Sequence, residues 1–169
     1  MCDTLVALPE FTKNGNLIFG KNSDREPDEA QGIIHFPKIT HAMTQSHGMS
    51  DNGKNTLQCT YISIPQVEET FEVILSKPFQ MWGAEMGINE LCLVIGNEAV
   101  FTNVKIPKKN DGLTGMDMLR LALERCRTAP EAVKTITSLL LQYGQDACGA
   151  YRNKDFFYHN SFIIADPNE

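Results

Sequence analysis

The stretch Cys2-Asp3-Thr4-Leu5-Val6-Ala7-Leu8-Pro9, continued by Thr12-Lys13-Asn14-Gly15-Asn16 and Leu17-Ile18-Phe19-Gly20-Lys21, carries the reading of the fold. Residues 2–8 form a β-prone run. Pro9 stops it, since proline has no N–H to give to a ladder. Asn14-Gly15 then supplies the strongest short turn signal known for a hairpin. Residues 17–21 return as a second strand, antiparallel to the first. That pairing lays Phe19 to Arg25 alongside Cys2.

Outward from the hairpin, the first half continues as strands. Gly32 to Phe36 is a third strand, halted by Pro37. Residues 41–55 are polar, with Gly48 and Gly53, and are expected to form a long surface loop. Residues 57–64, 71–75 and 91–95 are further strands by their β-branched and apolar content. Helices are expected only after residue 112. Thr114 suits an N-cap, with Asp117 in the first turn and a stripe of Met116, Leu119, Leu123 and Cys126. Thr128 suits a second cap, with Pro130 in the first turn and Gly144 as the stop. Residues 161–165 read as a last strand. Strands, a helical pair and a closing strand predict an α+β fold. Because that strand has no partner after it, residues 1–169 are expected to be the N-terminal portion of a larger domain, with an exposed edge that either self-associates as a homo-oligomer or takes the remaining residues from elsewhere.

Composition narrows the function. The 169 residues hold 15 Lys and Arg against 21 Asp and Glu, for a net charge of −6. No basic stripe could follow a phosphate backbone, so no nucleic-acid partner is expected. No apolar run approaches the roughly 20 residues that span a bilayer, so no membrane partner is expected either. The start lacks the basic and apolar regions of a signal peptide, which predicts a cytoplasmic protein. Five cysteines at wide spacing (Cys2, Cys59, Cys92, Cys126, Cys148) imply neither a disulfide framework nor a zinc site. Cys59, Cys92 and Cys126 sit in apolar patterns and read as small buried hydrophobes. His35, His41, His47 and His159 have no ligand spacing, and neither a metal nor a cofactor is expected.

Cys2 stands apart. Once Met1 is removed, one residue holds both a thiol and a free α-amine. An α-amine titrates near 7.7–8.0 and a thiol near 8.5, so the amine can take the thiol's proton at about neutral pH. Nucleophile and base then share one residue. The segment Gly20-Lys21-Asn22-Ser23-Asp24-Arg25 is a dense polar cluster past an apolar strand. Asp24 could orient the amine, and Lys21 or Arg25 could favour the thiolate. On the residues alone, a solvated strand-end turn fits the same cluster.

Several blocks resemble a known family. They are Cys2 to Val6, Ile18 to Arg25, Trp82-Gly83-Ala84-Glu85-Met86-Gly87 through Gly96-Asn97-Glu98-Ala99, Gly115 to Arg125, and His159-Asn160-Ser161-Phe162. Together they are similar to the secernin and bacterial dipeptidase A family of N-terminal-nucleophile (Ntn) cysteine hydrolases. The resemblance implies a four-layer αββα sandwich and cleavage of an amide or peptide bond by an N-terminal cysteine. It implies a small peptide or acyl-amide substrate. It implies catalytic roles for Cys2, Asp24, Asn97 and Asn160, the last two as donors to the oxyanion, Asn97 through its backbone N–H. Lys21 falls where related acylases carry an arginine. Asn22 and Arg25 mark the dipeptidase branch. Trp82 and Glu85 are placed at the mouth of the site, although packing accounts for Trp82 equally well. Glu98 would pair with a substrate amine or Arg25, or cap the sheet end. Some secernins have interaction roles, so a non-catalytic relative that keeps the scaffold is the alternative.

Overall fold

The computed structural model describes residues 2–41 and 55–169. Its elements run β1 (Asp3–Ala7), a 3-10 turn (Pro9–Phe11), β2 (Ile18–Asn22), β3 (Gln31–Phe36), β4 (Ile39–Thr40), β5 (Thr56–Gln58), β6 (Ser63–Pro65), β7 (Glu69–Thr70), β8 (Val73–Pro78), β9 (Met86–Asn89), β10 (Val94–Val100), α1 (Gly115–Arg125), α2 (Ala129–Tyr143) and β11 (His159–Ala165). The result is a mixed α/β arrangement, strands first and a helical pair late.

β1 and β2 pair antiparallel as a two-stranded sheet, with Asp3 opposite Asn22 and Ala7 opposite Ile18. The connection is wider than a two-residue turn. The 3-10 turn fills part of it, and Gly15 turns the chain at a φ of 67°, where a side chain would be strained. The main sheet has five strands in the order β11-β10-β9-β8-β3, and every pairing in it is antiparallel. Two short ladders, β4 with β7 and β5 with β6, stand beside it.

Alternation along the main sheet builds a layered core. Leu75 and Ile95 point to one face and are fully buried beneath α1. Gly87 lies in register between them, and a Cβ there would come within 2.8 Å of Leu123 on α1. The other face carries Ile74, Ile88 and Val94 and looks toward the hairpin. Gly96 permits that approach, because a Cβ there would sit 3.0 Å from Phe19 and 3.1 Å from Thr4. Hairpin, sheet and helices thus form three layers among the described residues. A cleft of about 690 Å³ runs between the first two, walled by Leu17, Phe19, Ile33, Ile74 and Ile88.

The helices end where their capping residues say. Thr114 accepts from the Asp117 N–H at 2.9 Å, and the Asp117 carboxylate accepts from the Thr114 N–H at 3.2 Å, a capping box worth about 1 kcal/mol. Asp117 also accepts from the Thr60 hydroxyl at 2.6 Å, and burial pushes its carboxyl above the usual range despite these donors. Thr128 caps α2, and Gly144 closes it at a φ of 69°. Every residue from Gly115 to Glu124 is buried, so α1 is an interior helix and not the single-face stripe that the sequence suggests.

Asn89 ties the β9–β10 turn to the end of α1. Its amide donates to the carbonyls of Leu123 and Cys126 at 3.0 and 2.8 Å, while its Oδ1 accepts the N–H groups of Leu91 and Leu93.

Three expectations change. Residues 57–64 are not one strand but the hairpin of β5 and β6, closed by a Cys59 N–H bond to the Ile62 carbonyl at 2.9 Å. Of residues 91–95 only Val94 and Ile95 are strand, as the start of β10. Leu91 and Cys92 form the tight turn before β10, and Cys92, at a φ of 64°, is exposed. Cys59 and Cys126 are buried, and burial pushes the Cys59 thiol up to about 12. The surface loop placed at 41–55 lies, apart from its ends, outside the described residues, as does Met1. Among the described residues no helix is long and apolar enough to cross a membrane.

Candidate active site

The hairpin register fixes the neighbourhood of Cys2. With Asp3 opposite Asn22, residues 23 and 24 run past the start of β1. The Asp24 N–H points at Cys2 Sγ over 3.5 Å, and the Asp24 carbonyl oxygen lies 4.0 Å from it. Glu85, from the segment before β9, brings Oε2 to 3.9 Å from the same sulfur. Cys2 is half-buried and opens on a pocket of about 230 Å³. Asp24, Arg25, Glu85, Asn97, Phe101 and Tyr158 are among its walls.

A chain of charges lies beside the thiol. Lys21 faces the main sheet with its side chain fully enclosed, 3.4 Å from Glu85 and 3.3 Å from Glu98. Glu98 also accepts the Thr4 hydroxyl. Arg25 donates through Nη1 to Glu85 at 3.0 Å, through Nε and Nη2 to Glu29 at 3.1 and 2.7 Å, and through Nη2 to the Gly149 carbonyl at 2.8 Å. Burial works against the Arg25 charge, but its hydrogen bonds to Glu29 and the charge of Glu85 outweigh that, and its net shift is upward. Lys21 and Arg25 therefore meet at one carboxylate, Glu85, which is 3% exposed.

The neighbouring Glu26 works on the far wall. Its carboxylate accepts three consecutive backbone N–H groups, from Tyr151 at 2.9 Å, Arg152 at 2.8 Å and Asn153 at 2.9 Å. These bonds, led by that from Arg152, hold its carboxyl below the usual range. The anchored segment leads to Phe156 and Tyr158, whose rings are 5.2 Å apart and form the aromatic side of the pocket with Phe101. Burial pushes the Tyr158 phenol well up, so it stays a hydrogen-bond donor.

Asn97 and Asn160 come together on the helix side of the main sheet. The Asn97 amide donates to Asn160 Oδ1 at 3.1 Å and to the Ser161 carbonyl at 3.0 Å. The Asn97 backbone N–H donates to the Glu85 carbonyl at 3.0 Å. Asn160 directs its own amide to Gln145 Oε1 at 3.1 Å. Asn97 lines the Cys2 pocket, but each of its donors is engaged inside the protein.

Two supporting residues lie elsewhere. Asn22, one step along β2 from Lys21, points the other way and is exposed. Trp82 stacks on Arg120, whose guanidinium is 4.1 Å from the Trp82 ring and 4.0 Å from that of Phe36. Those three walls, with Glu124, enclose a separate pocket of about 140 Å³. Of the two readings open to Trp82, the packing one matches this place.

Sequence reasoning did not single out Gln145, Phe101, Phe156 or Tyr158. They reach the site from 140 or so residues away in the chain or through loops, and no local pattern announces them. Among the described histidines, His35 meets Glu72, His41 meets Thr70 and His159 meets Thr102, all away from the Cys2 pocket. Among the described residues, no group of three His, Cys, Asp or Glu side chains is arranged to hold a metal ion.

The family model described as acyl-coenzyme A:6-aminopenicillanic acid acyl-transferase matches residues 11–162 of this chain, nearly its whole length.

Proposed function

Because the chain belongs to the acyl-coenzyme A:6-aminopenicillanic acid acyl-transferase family, whose members are acyltransferases and hydrolases of Ntn type, we propose that Cys2 is the nucleophile of an acyl-transfer reaction that hydrolyses amide bonds, on substrates of dipeptide size. Within that family we place the chain on the secernin and dipeptidase A branch, on the strength of the residue blocks quoted above. The observation that carries the reading is the Cys2 thiol opening on a closed-sided pocket with the Asp24 N–H and Glu85 directly beside the sulfur.

The steps follow from that placement. The Cys2 α-amine, once Met1 is gone, takes the thiol proton, and the sulfur attacks the substrate carbonyl carbon. The negative charge that develops on the carbonyl oxygen needs donors, and the resemblance gives that role to the Asn97 backbone N–H and the Asn160 amide. The C–N bond breaks, the amine leaves with a proton from the ammonium, and a thioester remains on Cys2. Water then attacks the thioester, the C–S bond breaks, and acid and free thiol are restored. Lys21 and Arg25 supply positive charge near the sulfur, and a pocket of about 230 Å³ suits a small acyl group.

One observation favours a second reading. The backbone N–H of Asn97 and the amide of Asn160 are both committed to protein acceptors. A relative that keeps the scaffold without catalysis would have no need to release them.

The test compares protein with Met1 retained and with Met1 removed on a panel of dipeptides and acyl amides, alongside Cys2→Ala and Cys2→Ser. Hydrolysis by the processed form alone, lost in Cys2→Ala and partly kept in Cys2→Ser, is the expected result. Equal hydrolysis by both forms overturns the N-terminal mechanism, and no hydrolysis by either favours the scaffold reading.

A further inference from the structure

Glu85 takes no part in the bond-making steps above, yet it bonds four groups, the thiol among them. Its Oε2 lies 3.9 Å from Cys2 Sγ, 3.3 Å from the Ser23 hydroxyl and 3.4 Å from Lys21 Nζ. Its Oε1 takes Arg25 Nη1 at 3.0 Å. The backbone is pinned on both sides, with its N–H on the Ser76 carbonyl at 2.9 Å and its carbonyl under the Asn97 N–H at 3.0 Å. The carboxylate is thus held from several sides, and the thiol facing it has an acceptor within reach of its S–H.

We propose that Glu85 is the positioning residue of Cys2: it orients the thiol toward the pocket and, balanced by Lys21 and Arg25, sets how readily the sulfur becomes a nucleophile. The inference rests on Cys2 being the nucleophile and gives Glu85 a role beyond the place at the mouth of the site expected from the sequence. The physical reason is charge balance at close range. A carboxylate beside a thiol opposes thiolate formation, while a cation favours it. Here Glu85 lies between two cations that each also hold a second carboxylate, Glu98 on Lys21 and Glu29 on Arg25, with Asp24 and Tyr158 lining the same pocket. Removing the carboxylate leaves the cations to favour the thiolate but removes the orienting acceptor. Removing Lys21 leaves the carboxylate less compensated.

Two readouts separate these effects from simple loss of structure. In a Cys92→Ser background, Cys2 is the single cysteine that is not buried, and iodoacetamide labelling at pH 7, read by peptide mass, reports its reactivity. Glu85→Gln is expected to label about threefold faster or more, while kcat on a hydrolysed amide falls about tenfold at little-changed KM. Lys21→Gln is expected to label more slowly than the parent. Protection of Cys59, Cys126 and Cys148 shows that a variant is folded. Folded Glu85→Gln labelling at the parent rate overturns the proposal. If Glu85→Gln exposes the buried thiols, Lys21→Gln decides, and labelling at or above the parent rate overturns it. A parent that hydrolyses nothing sinks the acyl-transfer reading, while the labelling difference between parent and Glu85→Gln still decides whether Glu85 controls the thiol.

Discussion

The backbone N–H of Asn97 is bonded to the carbonyl of Glu85 at 3.0 Å. The residue expected to greet a developing oxyanion is thus tied to the residue that holds the thiol's acceptor. Strand β10 and the segment before β9 are joined by this bond at the pocket. For amide hydrolysis the donors nearest in pattern must work from within this frame.

Gln145 follows from that frame as the orienter of Asn160. It accepts both the Asn160 backbone N–H and its amide at 3.1 Å. Loss of one oxyanion donor costs about 10²–10³ in kcat. Asn160→Ala should fall in that range, and Gln145→Ala should lower kcat about tenfold with KM little changed. Steady-state kinetics on one good dipeptide measures both, and an inert Gln145→Ala would remove the residue from the site.

Asp24 and Glu26 should separate in kinetics. Asp24 borders the sulfur, whereas Glu26 binds the backbone of the far wall. Asp24→Asn is expected to lower turnover much more than Glu26→Gln, whose main effect should be a raised KM. Similar losses in both would reduce Asp24 to a turn residue.

Glu26 also gives the pocket wall an acid limit. Its carboxyl sits below the usual carboxylate range in the folded chain, first through the Arg152 N–H bond. The unfolded chain binds the proton more readily, so this anchor contributes fully above about pH 4.3 and is lost as pH falls through the lower folded value. In NMR titrations the amide protons of Tyr151, Arg152 and Asn153 should hold their hydrogen-bonded shifts from neutral pH to about 4.3 and lose them together below it. Glu26→Gln should remove that step.

Gly83 has no room for a side chain. A Cβ there would lie 2.1 Å from the Met116 carbonyl carbon, which is helix backbone and cannot yield as a side chain would. Overpacking usually costs about 1–3 kcal/mol, and Gly83→Ala should reach or pass the top of that range. Denaturant melts measure it, and a midpoint equal to the parent's would contradict the close approach.

The parts of the molecule open to sequence reading are those written locally. The Thr114 and Thr128 caps, the Gly144 stop and the β1–β2 pairing depend on residues within one turn or one hairpin. The β5–β6 turn escaped because Thr60 and Tyr61 carry no turn signature, so one apolar run read as one strand. Strand β9 escaped because Gly87 weakens its pattern, although Leu75 and Leu123 crowd that position and leave no room for a Cβ. At the site, Lys21, Asp24 and Arg25 were legible through the hairpin register. Gln145 and Tyr158 belong to contacts made only once the sheet assembles, and spacing carries no trace of those; the sequence places Glu85 only at the mouth of the site, and its contacts to Lys21 and Arg25 come from the same assembly.

The four side-chain hydrogen bonds of Asn89 bear on how the chain comes apart. Two hold the last carbonyls at the end of α1, and two hold the amides of the β9–β10 turn. Neither partner can open without breaking bonds that the other needs. In native-state hydrogen exchange, the amides of Leu93 and Cys126 should therefore share one opening free energy and belong to one foldon, although 33 or so residues separate them in the chain. Asn89→Ala should uncouple the two, leaving the turn to exchange by local fraying while the buried helix keeps its protection.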